Sequence, residues 1–424
     1  MKHSPRSLAV RFLIDLFRDQ ANLDSLSQSP GFLELEERDR RLVTELVYGV
    51  LRNRTLLDYY LAKLSRTALG KLDEAVLWIL RVALYQVEFM RVPDHAAVHE
   101  AVATCRRLRK RSASGFVNAI LRRFLREELS PPEGESAEAL AIRFSHPEWL
   151  VKRFLHRYGS RRTIDLLDRN NEPPPPVHWV NVFKTDLPSL CKELEDDEIS
   201  YEVDSSLPNC LVIHSPSFSE HPAYREGRCF RMDAGSQEVV YLGQFRDCRT
   251  LGDFCCAPGG KSFLMASKMV PGSRLFCCDV SLSRLKETAN RVQLHEVPNL
   301  DLIHADLRVG PPFRCEFDFI LLDVPCSGIG TVRSNPDIRW KMRENDLNRL
   351  HTLQLSVLTH GFSALRPGGE LTYATCSTEP EENESVIEEF LAREEKAREI
   401  GEYHRNFPDL QRGDCFFAAR IRHV

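Results

Sequence analysis

Leu251-Gly252-Asp253-Phe254-Cys255-Cys256-Ala257-Pro258-Gly259-Gly260-Lys261-Ser262 is an apolar run that breaks at a Gly-rich turn and continues as a helix former. Outward from it, further strand-like runs follow at Leu275–Cys278, Asp301–Ala305, Phe317–Val324 and Gly369–Ala374, with helical stretches between them. This alternation, from about Gly235 onward, predicts an α/β domain with a mainly parallel sheet. Ligands of such sheets sit outside the carboxyl ends of the strands. Gly259 and Gly260 are expected to let the backbone approach a ligand, and the helix after them to offer free N–H groups. Asp279 and Asp306 follow the next two strands, placed for ribose hydroxyls and an adenine amino group. The loop matches neither G-x-x-x-x-G-K-[ST] nor G-x-G-x-x-G. The nucleotide-like cofactor is therefore inferred from acids in series at strand ends, since one acid alone is as readily a helix cap.

Two cysteines stand at later strand ends, in Pro325-Cys326-Ser327 and Thr375-Cys376-Ser377. A free cysteine is more often a buried structural thiol, but these two lie on the ligand-binding edge beside small polar residues. Nucleophilic chemistry on an electron-poor ring needs such a thiol: added at pyrimidine C6, it turns C5 into a carbon nucleophile. A base must leave its stack to be reached this way. Lys261 reads either as a solvated helix-start lysine or as a partner of cofactor or carboxylate. Phe254 and Trp340 read as packing residues.

At 424 residues, two or three domains are expected. The chain is 42% hydrophobic and 28% charged, with net charge −4, so composition gives no global sign of a nucleic-acid partner. Charge is uneven, however. Arg106, Arg107, Arg109, Lys110, Arg111, Arg122, Arg123 and Arg126 form a basic run that favours phosphate contact, while Glu379–Glu384 is acidic. No apolar run reaches the roughly 18 residues of a membrane span, and no signal peptide is visible. The 13 cysteines are scattered and read as reduced thiols of a cytoplasmic protein. Cys255-Cys256 and Cys277-Cys278 lack metal-ligand spacing, so no metal is expected.

Residues 1–129 read as helices, with apolar residues recurring at Leu42, Leu46, Val47, Val50 and Leu51 and again from Val76 to Leu84. Residues 130–144 have a linker's composition around Ser130–Ser136. Residues 145–234 read as a small α+β module, entered by an amphipathic helix and interrupted at Pro173–Pro176. The α/β domain is placed at 235–424.

Asp253–Lys261, Asp323–Thr331 and Tyr373–Thr378, supported by Arg333, Pro336–Trp340 and Glu381–Glu384, resemble the motifs of S-adenosylmethionine-dependent RNA cytosine-5 methyltransferases. Asp39-Arg40, Leu46–Arg52, Ile79–Arg81 and Gly115–Arg122 resemble the RNA-binding fold of the antitermination factor NusB. The combination resembles the bacterial 16S ribosomal RNA cytosine-5 methyltransferase B family across nearly the whole chain. The resemblance implies a NusB-like all-α domain (1–129), a linker (130–144), an α+β RNA-binding module (145–234) and a Rossmann-like class I methyltransferase domain (235–424). It implies Cys376 as nucleophile, Cys326 in product release and Asp323 against the cytosine edge. Cys255, Cys256, Ala257, Pro258, Gly259, Gly260, Lys261, Asp279, Asp306 and Asp323 would hold S-adenosyl-L-methionine. The partner implied is 16S ribosomal RNA, with no membrane and no obligate protein partner. Within the same chemistry tRNA or 23S RNA is the alternative substrate. A NusB-like binding factor with an inactive methyltransferase fold, or a DNA cytosine methyltransferase, would account less well for the two cysteines. Trp179, Met232, Cys256 and Cys415 depart from the family's pattern.

Overall fold

The computed structural model describes residues 4–18, 20–313, 316–407 and 413–424. The chain forms two compact units, Met1–Glu172 with Asn335–Lys341, and Pro173–Ser334 with Met342–Val424.

The first unit is helical, with its longer helices at Pro5–Phe17, Glu37–Arg52, Arg54–Leu64, Glu74–Phe89, Asp94–Arg107, Ser114–Phe124 and Glu148–Arg169. The three- and four-residue spacing buries Leu46, Val47, Val50 and Leu51 in one core with Val76, Leu80, Val82 and Leu84. Asp73 starts Glu74–Phe89 by accepting from the N–H groups of Ala75 and Val76 at 3.0 and 3.3 Å. The stretch 130–144, expected as linker, contains the helix Ala137–Arg143, which Ser136 caps. Leu140 and its alanine neighbours are buried; the Pro- and Ser-rich run before them masked a helix too short to show a period. The helix Glu148–Arg169, expected to open the middle module, belongs to the first unit and is broken at Gly159, where φ is 72°. The contact division near residue 172 separates two units and falls inside the stretch expected as the middle module.

Asn335–Lys341 is held in this unit by Arg339, which is 2% exposed. Its guanidinium donates to the carbonyl oxygens of Ser145 at 3.2 Å and Asn170 at 2.5 Å, and to Asn171 Oδ1 at 2.6 Å. Trp340 Nε1 donates to Leu51 O at 2.9 Å, and Arg54 stacks over the indole. Trp340 is a packing residue, as its sequence context suggested.

Among the described residues the second unit has two sheets. Strands β1 (Val177–Val180), β2 (Tyr201–Val203), β3 (Cys210–Ile213) and β4 (Cys229–Arg231) form an antiparallel sheet in the order β2-β3-β1-β4. β1 ends at Val180, and the next residue, Asn181, donates its side-chain amide to Gly227 O and His295 O, at 2.7 and 2.9 Å. Trp179 and Met232 lie in the core with Phe230. Burial explains why large apolar side chains stand there.

The larger sheet comprises β5 (Thr250–Phe254), β6 (Arg274–Asp279), β7 (Leu300–His304), β8 (Phe317–Asp323), β9 (Leu365–Thr375), β10 (Ala397–Glu399), β11 (His404–Arg405) and β12 (Phe417–His423). Its order is β10-β12-β9-β8-β5-β6-β7, with β11 paired to β12. β5 to β9 pair in parallel, and β12 runs antiparallel to β9 and β10. The chain steps outward from β5 through β6 to β7, then returns to the other side of β5 as β8. That reversal opens a crevice at the carboxyl ends of β5 and β8, the place where such sheets bind ligands.

Candidate active site

The crevice holds a pocket of about 530 Å³ lined by Cys255, Ala257, Asp279, Asp306, Asp323, Cys326 and Cys376, together with Val280, Arg284, Leu307, Arg308, Leu353 and Val357. That volume is in the range of a nucleoside-sized ligand. One wall is the loop after β5. Cys255, at φ 73°, and Cys256 both donate their N–H groups to Cys278 O, at 2.8 and 2.9 Å. Asp279 Oδ2 accepts from Ala257 N at 3.2 Å, and Oδ1 from Ser281 N at 2.8 Å. Arg284 donates to Ala257 O, and Arg291 to Pro258 O at 2.9 Å. The loop is thus fixed by the strand and helix that follow it.

Not every loop residue faces the pocket. Cys256 is 6% exposed and packed in the core; its hydrogen bond with Cys277, and burial, push its thiol far up. Gly259 has φ 96°, and a Cβ there would meet Thr288 Cγ2 at 2.8 Å and the Phe263 ring at 3.0 Å. Its missing side chain makes room for Thr288 and Phe263. Phe254 is fully buried.

At the other end the two thiols meet. Cys326 Sγ lies 3.2 Å from Cys376 Sγ. Hydrogen bonding to Cys376, then burial, pushes the Cys326 thiol well above its ordinary value, so Cys326 keeps its proton. Lys261 Nζ donates to Asp323 Oδ2 at 2.8 Å. Burial alone would lower the Lys261 ammonium, but the Asp323 carboxylate more than offsets it and holds the lysine above its usual range. Below them Asp253, fully buried, accepts from Ser262 Oγ at 2.5 Å, and burial pushes it up to about 7.

Asp306 is already engaged: Arg308 donates to both its oxygens, at 2.8 and 2.6 Å, and this fork lowers it to about 2. Elsewhere in this unit Glu193, Asp197 and His221 come within metal-binding distance of one another. They are paired instead, Glu193 with Arg228 and Asp197 with His221.

Residues 241–422 match the family described as 16S rRNA methyltransferase RsmB/F, residues 3–126 the NusB family, and residues 146–218 a ferredoxin-like domain of RsmF/B-like methyltransferases. Ribosomal RNA small subunit methyltransferase B of Cronobacter sakazakii is 32% identical over 98% of this chain and 98% of its own. The chain belongs to the ribosomal RNA small subunit methyltransferase B family. The probable methyltransferase B of Bacillus subtilis is 32% identical over 92% of this chain and 88% of its own. The solved structure of a methyltransferase homolog from Pyrococcus horikoshii is 26% identical, with a TM-score of 0.61, over 70% of this chain and 100% of its own.

Sequence reasoning reached the acids and thiols of the pocket but missed its other lining. Arg284 and Arg308 carried a signal, each a cation a few residues beyond a strand-end acid. Val280, 53% exposed beside Asp279, and Leu353 and Val357 carried none, because apolar residues on a helix predict core equally well.

Proposed function

We propose that this protein transfers the methyl group of S-adenosyl-L-methionine to C5 of a cytosine in 16S ribosomal RNA, by way of a covalent bond from Cys376 to C6. The observation that carries the reading is two thiols 3.2 Å apart at one end of a pocket whose other residues include Asp279 and Asp306. Sulfurs so close can address adjoining atoms of one ring edge. The residues present fit the cofactor: Asp279, Asp306, Cys255 and Ala257 line a space for the nucleoside, and Val280 and Leu307 add apolar wall. Bound there, S-adenosylmethionine supplies an electrophilic methyl group. Small-subunit ribosomal RNA as substrate is supported by the names of the relatives.

Cys326, holding its proton, donates a hydrogen bond to Cys376 and steadies negative charge on that sulfur before attack. Lys261 occupies Asp323 Oδ2 and turns the carboxylate so that Oδ1 faces the amino edge of the base. The negative charge that develops on the ring as Cys376 adds is offset by the Lys261 ammonium held beside it on Asp323. Once Cys376 is bonded to C6, the hydrogen bond that most raises the Cys326 thiol is gone, and Cys326 becomes the more acidic for it. Cys326 then releases its proton to solvent, and as thiolate it accepts the C5 proton after methylation. The C6–S bond then breaks, its electrons return to Cys376, and 5-methylcytosine is restored.

The test is trapping on a denaturing gel with a 16S transcript and S-adenosylmethionine. Cys376→Ala is expected to bind RNA but neither methylate nor trap it. Cys326→Ala is expected to add, methylate and stall, leaving a protein–RNA band that the double variant lacks. A band in Cys376→Ala alone would exchange the two roles. Full methylation without either thiol would overturn the covalent route, and bisulfite sequencing would name the cytosine.

A further inference from the structure

Glu382 is fully buried, has no ion-pair partner among the described residues, and is not among the residues that line the pocket. Its carboxylate instead joins the two loops that carry them. Oε1 accepts from Ser327 N at 2.7 Å and from Gln354 Nε2 at 3.0 Å. Oε2 accepts from Ser327 Oγ at 2.5 Å and from Ser377 Oγ. Ser327 follows Cys326 and Ser377 follows Cys376. The two hydroxyls are themselves 3.2 Å apart, so one carboxylate closes a ring of hydrogen bonds directly behind the thiol pair. Gln354 Nε2 also donates to Pro325 O at 3.0 Å, and Tyr373 OH holds the Glu382 carbonyl at 2.7 Å. Asn383 grips the second loop from its far side, accepting from Thr375 Oγ1 at 2.5 Å and donating to Ser377 O at 3.0 Å.

A buried carboxylate is costly to desolvate unless donors compensate it. Here the donors come from both cysteine loops, so the arrangement that satisfies the carboxylate also fixes the loops against each other. We propose that Glu382 is the positioning residue that sets the separation of Cys326 and Cys376. This rests on the thiol chemistry proposed above. With the clamp loosened, Cys376 reaches C6 less often in register, and Cys326 is displaced from the proton it must accept.

The test uses Glu382→Gln in the full chain. Gln keeps the shape but turns an amide donor toward groups that are donors themselves. Single-turnover methyl transfer is expected to fall about 100-fold, as for an ångström-scale misplacement of reacting groups. S-adenosylmethionine Kd should be unchanged. A second readout needs no methyl reaction. Diamide oxidises two thiols to a disulfide and is itself reduced to the hydrazine, so closure of Cys326–Cys376 reports how the sulfurs are held. Peptide mapping should show closure slowed roughly tenfold or more relative to the unsubstituted protein. Wild-type transfer and closure in Glu382→Gln would overturn the proposal, as would a lowered Tm with both rates unchanged, which would leave the residue only structural. Should Glu382→Gln not fold, Ser327→Ala with Ser377→Ala removes two donors and leaves the carboxylate in place. A graded loss in both readouts supports the proposal, and unchanged rates defeat it. If Cys376→Ala retained methylation, the covalent reading would fall by itself while the closure assay still judged Glu382.

Discussion

Asp279 ends β6 with each carboxylate oxygen committed to a backbone N–H, Oδ2 to Ala257 and Oδ1 to Ser281. A carboxylate has lone pairs to spare beyond these two, so ribose hydroxyls can still be accepted while the loop stays anchored. Asp279→Ala should therefore weaken S-adenosylmethionine twice over, by deleting the proposed ribose contact and by freeing the loop at Ala257. Each hydrogen bond to a charged acceptor is worth about 1.5–3 kcal/mol, so Kd should rise by roughly 10- to 100-fold. Asp279→Asn, which keeps one acceptor, should fall between. Unchanged affinity by calorimetry in Asp279→Ala would remove the residue from the cofactor grip. The position of this acid was legible because a strand ends at it. Its partner Ala257 was not, because it arrives from a loop 22 positions earlier in the chain. The same applies to Asp306, whose identity was readable but whose capture by Arg308 depends on a rotamer.

At the scale of elements, the turn from β5 into the helix Gly260–Ala266 separates two glycines that look equivalent in sequence. Gly259 caps the helix at φ 96°, and its Cβ would strike Thr288 and Phe263. At Gly260 the nearest atoms to a Cβ are Phe230 Cε2 at 3.8 Å and Met232 Sδ at 3.9 Å, ordinary contact distances. Gly259→Ala should cost about 1–3 kcal/mol through overpacking and left-handed strain. Gly260→Ala should be neutral, or stabilising by roughly 0.5–1 kcal/mol. Urea midpoints at constant m-value would separate them, and equal midpoints would mean that the turn relaxes around either side chain. The strands were legible because β5, β6 and β8 are central and nearly continuously apolar. The segment Glu379–Glu384 was not, since its charges suggest a solvated stretch, yet Glu379, Glu382 and Asn383 are all fully buried. A hydrogen-bonded buried acid and an exposed one are the same letter.

For the molecule as a whole, alternation of strand and helix announced the α/β sheet, but nothing local announced that Asn335–Lys341 would leave it for the helical unit. That placement depends on carbonyl groups gathered around Arg339 from Ser145 and Asn170, which no sequence period encodes. Charge segregation was legible, and the structure sorts the basic run into two kinds of residue. Lys110 pairs with Asp73 at 2.5 Å, Arg107 with Glu100 at 3.4 Å, and Arg123 with Glu127 at 2.5 Å. Arg106, Arg109 and Arg111 are exposed and have no ion-pair partner among the described residues. A cation already neutralised by a neighbouring carboxylate releases few counterions from RNA, whereas a free one releases nearly its full share. Replacing Arg106, Arg109 and Arg111 together by Ala should therefore flatten the slope of log K against log salt by roughly 2 to 3. Lys110→Ala should change it far less and act instead on the stability of the helix that Asp73 caps. Anisotropy titrations of a 16S fragment between about 50 and 200 mM salt span the range where this difference is large. S-adenosylmethionine affinity should stay constant throughout, since its proposed ligands belong to the other unit. An unchanged slope in the triple variant would mean that the run is a solvated face and that RNA is held elsewhere.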